Sequence, residues 1–278
     1  MISSTLARTA NLICSSITLF ILSARIGLSL WKQKGRLDAS VLVCALAITW
    51  AIARMIVAQL IFRLFIIHVS RYEETVPLEH VKETRQLSLV ARVCSTSFYW
   101  LQMCLLLLFY RPILSHIAWV AIIIWVCWVL LGVTYIAVIL ATFIECRPFR
   151  LYWNVNPSAA CADALIQWLT QGISNVVIEL LILISSAPML NWRQKTRSQI
   201  LRVWTLFAIG VVCIATNCVR ISIVAGTADQ QASRSFWGSI QEVTATTVAN
   251  VPTIYGCWRV LRQQSQSRVF IINSTEEP

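Results

Sequence analysis

"ILSHIAWVAIIIWVCWVLLGVTYIAVILATFI" runs from Ile113 to Ile144 without an aspartate, glutamate, lysine or arginine. A helix needs about 20 apolar residues to cross the roughly 30 Å hydrocarbon core of a bilayer, and this stretch exceeds that length. A strand of a membrane barrel would span about 10 residues and alternate apolar with polar side chains. The stretch does neither. In lipid every backbone N–H and C=O must be satisfied within the segment, which a helix does by itself. Ile113–Ile144 therefore reads as a membrane-spanning helix, tilted or extended past the bilayer.

Working outward, similar apolar stretches precede it at Ala10–Leu30, Ser40–Val69 and Leu87–Tyr110, and follow it at Ala164–Leu190, Ile200–Ala225 and Phe236–Val260. Composition agrees: 58% of the 278 residues are hydrophobic, 13% are charged, and the mean hydropathy is +0.70. A soluble domain would charge about a quarter of its positions. The expected fold is all-α, a polytopic bundle of seven transmembrane helices over residues 1–260 followed by a short tail, 261–278. The first span reads as retained rather than as a cleaved signal peptide, because Arg25 lies inside it and no small-x-small cleavage site follows.

Eleven lysines and arginines fall on the side of the loop after the first span, against seven on the other. The positive-inside rule then places the C-terminus in the cytoplasm and the N-terminus outside or in a lumen. The net charge of +11 is accordingly a topological bias favoured by anionic lipid, and lipid rather than nucleic acid is the expected partner. The expected location is an integral, multi-pass one, in the plasma membrane or the endoplasmic reticulum.

Charges inside the spans are the candidates for function. Each costs about 2.5–3.5 kcal/mol at a helix centre on insertion scales, so each needs a partner or a polar cavity. Arg54 and Glu179 lie at similar mid-membrane depth on the second and fifth spans, and Asn175 precedes Glu179 by one helical turn. Arg220 and Glu242 share a shallower depth on the sixth and seventh. Depth thus suggests Arg54 with Glu179 and Arg220 with Glu242. Arg25 and Asn217 have no evident partner, while Arg63 and Arg92 lie near an interface where a long side chain snorkels to water. The plain reading of Glu179 is a structural link between helices; the functional readings are a ligand-binding charge or a protonated acid.

Cys146 and Cys161 both fall in the loop "ECRPFRLYWNVNPSAAC" on the expected non-cytoplasmic side, where the compartment is oxidising. A Cys146–Cys161 bridge, a bridge from one of them to Cys94, and two free thiols are all open. No metal site is expected: His68, His80 and His116 stand alone, with no HExxH and no CxxC. GxSxG, Walker and GxGxxG sequences are missing as well, which leaves hydrolase, ATPase and dinucleotide chemistry without support. Tryptophans are abundant, at 12, and those of the spans, Trp50, Trp100, Trp119, Trp125, Trp128 and Trp204, pack against lipid or wall an apolar ligand.

The order of motifs carries a resemblance. "LLLLFYRPI" (Leu105–Ile113) closes the third span; "ECRPFRLYW" and Cys161 follow the fourth. Then come Asn175-x3-Glu179 with Pro188, Phe207-x2-Gly210, Arg220, Glu242 and Asn250-x-Pro252. From Cys94 to Val260 this series resembles the fungal rhodopsin-like integral membrane proteins, the family of the Pth-eleven-type receptor-like proteins and the satratoxin-cluster membrane protein. The resemblance implies a receptor-like or accessory component associated with a secondary-metabolite pathway, with an apolar small-molecule ligand or pathway enzymes as further partners. Gln102 and Glu179 depart from the lysine and aspartate that many members have there. The family name points to retinal, yet all four lysines (Lys32, Lys34, Lys82, Lys195) are expected in loops, so no retinal cofactor is expected. The alternative function is a membrane-bound cyclase of the terpene-cyclase kind, with Glu179 or Glu242 as general acid. A transporter or scaffold is weaker, since seven spans do not divide into repeated halves.

Overall fold

The structure, a computed structural model, describes residues 4–32, 38–71, 78–114, 118–145, 152, 165–186, 197–226 and 231–275. Within them lie seven long helices: α1 Ser4–Lys32, α2 Ala39–Arg71, α3 Leu78–Leu114, α4 Ala118–Ile144, α5 Leu165–Ser186, α6 Arg197–Gly226 and α7 Gln231–Thr275. Five of these are long and apolar enough to cross a membrane, and α6 holds a shorter apolar run, Gly210–Ser222.

The helix α4 shows why the sequence has no polar face there. Val120, Ile124, Cys127, Leu131 and Val138 recur at steps of three, four or seven residues and are buried, while Trp125, Ile122, Val133 and Ile136 point outward. Both faces are apolar, as a helix requires with protein on one side and lipid on the other. On α7 the reverse holds: its buried face contains Gln241, Glu242, Thr246 and Asn250.

Neighbours in sequence are neighbours in space, and α7 closes the ring against α1. The middle belongs to α3, which packs on α2 and α4 and also meets α7 and α5. Phe98, Leu105 and Leu107 of α3 are fully buried, packed with the small residues Cys44, Ala47 and Ala51 of α2. Small residues at such contacts let helices approach closely in the absence of a hydrophobic force between them. Gly172 does the same between α5 and α6: a Cβ there would lie 2.5 Å from Ile221 Cγ1.

Two helices outrun their expected spans by the most. The third begins at Leu78 rather than Leu87, which places Lys82 on the helix, exposed, and not in a loop. The seventh continues past Val260 to Thr275, through the stretch expected to be a tail. Between these residues there is neither glycine nor proline to stop it. The proposed cysteine pair, Cys146 and Cys161, lies outside the described residues; Cys94 is a buried free thiol.

Candidate functional site

The rim of the bundle where α1, α3, α5 and α7 begin and α2, α4 and α6 end (the first rim) holds most of the buried charge. Arg54 of α2 forms an ion pair with Glu242 of α7, and Ser15 of α1 donates to the same carboxylate oxygen at 3.3 Å. Glu242 is completely buried. The expected pairing of Arg54 with Glu179 is therefore corrected. The reason is topological: α3 stands between α2 and α5, and depth alone does not report what lies between two helices.

Arg220 is not joined to Glu242 either. Its Nη1 donates to Gln241 Oε1, and Gln241 Nε2 donates to Asn217 Oδ1. Asn217 Nδ2 then reaches both oxygens of Glu179 at 2.8 Å, and the Cys213 thiol donates to Oε1 at 3.0 Å. Consecutive helical residues diverge by about 100° around the axis, at 3.6 residues per turn. Gln241 thus faces α6 while Glu242 faces α1 and α2. Depth matching placed Arg220 opposite the right turn of α7 and the wrong residue.

Glu179 consequently ties α5 to α6 through a neutral amide and a thiol. A cavity of about 30 Å³ lies beside it, lined by Gln102, Met103, Leu106 and Tyr110, by Gly210 and Cys213 of α6, and by aliphatic side chains of α5 and α7. That is space for about one water. Asn175 is buried one turn away, and its Oδ1 has no partner among the described residues.

The Arg220 guanidinium lies 4.4 Å from the centre of the Trp168 ring and 5.4 Å from that of Tyr99. Cation–π contact with two rings holds the charge where, among the described residues, no carboxylate reaches it. Tyr99 is itself fixed, its hydroxyl donating to the Gly238 carbonyl at 3.0 Å. These groups border a cavity of about 110 Å³. Its walls come from six helices: Asn11 of α1, Arg54 and Phe62 of α2, Arg92 and Tyr99 of α3, Trp168 of α5, Arg220 of α6, and Arg234 and Ser235 of α7. Arg92 donates to the Tyr152 hydroxyl at 2.8 Å. The sequence marks Arg92 only as an interface residue and gives Arg234, Gln241, Tyr99 and Trp168 no functional role. The sole signal for them was their depth, which matches that of Arg220.

A second polar network occupies the half nearer the opposite rim. Arg25 of α1 donates from Nη1 to the Ala249 carbonyl at 2.9 Å and to Asn250 Oδ1 at 2.8 Å, and from Nη2 to Ser40 Oγ at 3.1 Å. Asn250 Nδ2 in turn donates to Gln102 Oε1 at 2.8 Å. This gives Arg25 the partners that the sequence did not show.

Among the described residues, the tryptophans do not surround either glutamate. Trp119 and Trp125 point outward, and Trp50, Trp100 and Trp128 line a groove of about 350 Å³ between α2, α3 and α4. The side chain of Trp204 lies outside the described residues. Among the described residues no group of histidines, cysteines and carboxylates is placed to hold a metal ion.

Residues 24–263 match the family model described as the fungal rhodopsin domain. No curated protein is similar enough in sequence to match the chain.

Proposed function

Because the chain belongs to the fungal rhodopsin domain family, and so is a multi-pass integral membrane protein in contact with lipid, we propose that it acts as a receptor-like protein that admits a small-molecule ligand to the cavity at the first rim. The observation that supports this reading is the cavity itself. It is walled by six of the seven helices, so a molecule seated there touches nearly every element of the ring. A ligand moves a conformational equilibrium only by binding its states unequally, and contact with many helices gives it the means.

Two helices connect this cavity to the second network. On α3, Tyr99 contacts Arg220 and Gln102, three residues on, meets Asn250. On α7, Gly238, Glu242, Thr246 and Asn250 follow at intervals of four, which places them in one row. A shift of α7 against α3 at the cavity would load the contact of Gln102 with Asn250. On the charge bias of the loops, this reading takes the first rim to lie outside the cytoplasm, where a ligand would arrive, and the network at the opposite end to lie inside. An accessory role in a secondary-metabolite pathway is part of the same proposal, and a retinal cofactor is not. The cyclase alternative gains nothing from the site: Glu242 is enclosed by its ion pair, and the space beside Glu179 suits about one water.

The test is a strain of the source organism lacking the gene, complemented at matched protein level with wild type, Arg220→Gln or Glu179→Gln. A receptor-like role predicts that Arg220→Gln fails to restore the transcript and metabolite profile and that no single uncyclised precursor builds up. Accumulation of one such precursor in the Glu179→Gln strain would overturn the proposal in favour of a cyclase.

A further inference from the structure

We propose that the group recognised in this cavity is an anion, the carboxylate or phosphate of a molecule with an apolar tail; the proposal rests on the cavity being the ligand site. Four guanidinium groups, those of Arg54, Arg92, Arg220 and Arg234, line the cavity, and its described lining contains no acidic side chain. Arg54, Arg220 and Arg234 are each more than nine-tenths buried. Glu242, behind Arg54, pairs with that arginine, and Arg234 has a partner of its own.

Like charges gathered in a membrane bundle repel one another and lose hydration together, so the arrangement favours an anion that enters among them. Arg220 is the best placed to receive it. It donates to a neutral amide and rests between two rings, and neither it nor Arg92 meets a carboxylate among the described residues. A planar guanidinium held in this way can still present two N–H groups to an oxyanion. The Trp168 residue borders the cavity as well, and its buried Nε1–H has no acceptor among the described residues.

The size and the remaining walls narrow the class. About 110 Å³ accommodates roughly four water-sized groups, enough for a carboxylate or a phosphate but not for a large ring system. Ala58, Ile61 and Phe62 of α2 and Ala91 of α3 form an apolar side next to the arginines. An acidic head group between the arginines and the first carbons of an alkyl tail against these residues use both, the rest of a longer tail extending beyond the cavity.

The experiment is thermal unfolding of the full chain in nanodiscs of zwitterionic lipid, at constant ionic strength, titrated with decanoate, methyl decanoate, acetate and inorganic phosphate. Decanoate is expected to raise Tm saturably, with an apparent Kd weakened at least about tenfold by Arg220→Gln. Arg262→Gln, an exposed site far along α7, is expected to leave that Kd unchanged. Should Arg220→Gln fold poorly, Ser235→Trp fills the cavity with every arginine retained and is expected to abolish the effect. Equal stabilisation by methyl decanoate would overturn the anion while leaving the cavity as a ligand site. Equal action of acetate or phosphate at the same concentrations would keep the anion and overturn the tail. No saturable effect from decanoate, phosphate or the ester would overturn both the anion and the cavity.

Discussion

Arg25 and Arg220 are both buried arginines that face no carboxylate among the described residues, yet they are held in different ways. Arg25 is gripped by a backbone carbonyl, an amide and a hydroxyl, and none of the cavities described above opens on it. Arg220 has one amide and two aromatic faces, and it borders open space. A guanidinium fixed by several oxygen acceptors is committed to joining helices. One held by rings keeps hydrogen-bonding capacity for something else. The lesson is that a buried charge in a membrane protein is not functional in itself; the nature of its partners separates the two cases.

The largest effect is expected at the border between the two regions. Glu242→Gln strands Arg54 in the bundle and should lower stability by about 3–5 kcal/mol, the usual consequence of removing one member of a buried pair. Arg54→Gln combined with Glu242→Gln should recover most of it in a double-mutant cycle of thermal unfolding. Additive losses would mean that the pair is not coupled and that Arg54 belongs with the cavity. Next comes Asn250→Ala, which takes an acceptor from Arg25 and a donor from Gln102 at once. A loss of about 2–3 kcal/mol is expected. A fully stable variant would place Arg25 among the open charges and collapse the contrast.

The helix contact that presents Arg220 gives a smaller effect. Gly172→Ala forces a methyl group against Ile221, next to Arg220 in the chain, and should cost about 1–3 kcal/mol through overpacking. Adding Ile221→Ala should relieve it, with both read by thermal unfolding. Smallest is Tyr99→Phe, which loses the hydrogen bond to Gly238 and retains the ring over Arg220. About 1 kcal/mol is expected, with decanoate affinity nearly unchanged.

How much of this could be read in the sequence follows from which periodicities survive in lipid. The helices of the bundle were legible because a span must be continuous and apolar, and α4 shows the pattern without interruption. Boundaries were less so, since α7 has a polar inward face and no residue that stops it before Thr275. Of the site, Arg54, Asn175, Glu179, Arg220 and Glu242 were recognisable as polar groups where lipid forbids them. Their pairing was not. Depth is written in the sequence as distance along a helix, whereas rotation about the axis and the identity of the helix between two others are not. Those two quantities turned Arg220 to Gln241 and put α3 between Arg54 and Glu179. Arg92, Arg234 and Trp168 were hidden for a related reason, because residues near an interface resemble ordinary anchors until the cavity behind them is seen.

The most direct measurement is the accessibility of a cysteine placed in the cavity wall. In intact cells bearing Ser235→Cys, the rate of modification by the anionic sulfonatoethyl thiosulfonate is compared with that by its cationic trimethylammonium analogue, each normalised to a free small thiol and corrected for wild-type background. A water-filled, arginine-lined cavity open to the outside predicts a preference of about tenfold or more for the anionic reagent, of the order that charged clefts exert, falling sharply in Arg220→Gln. A preference for the cationic reagent, or protection from both, would contradict the account.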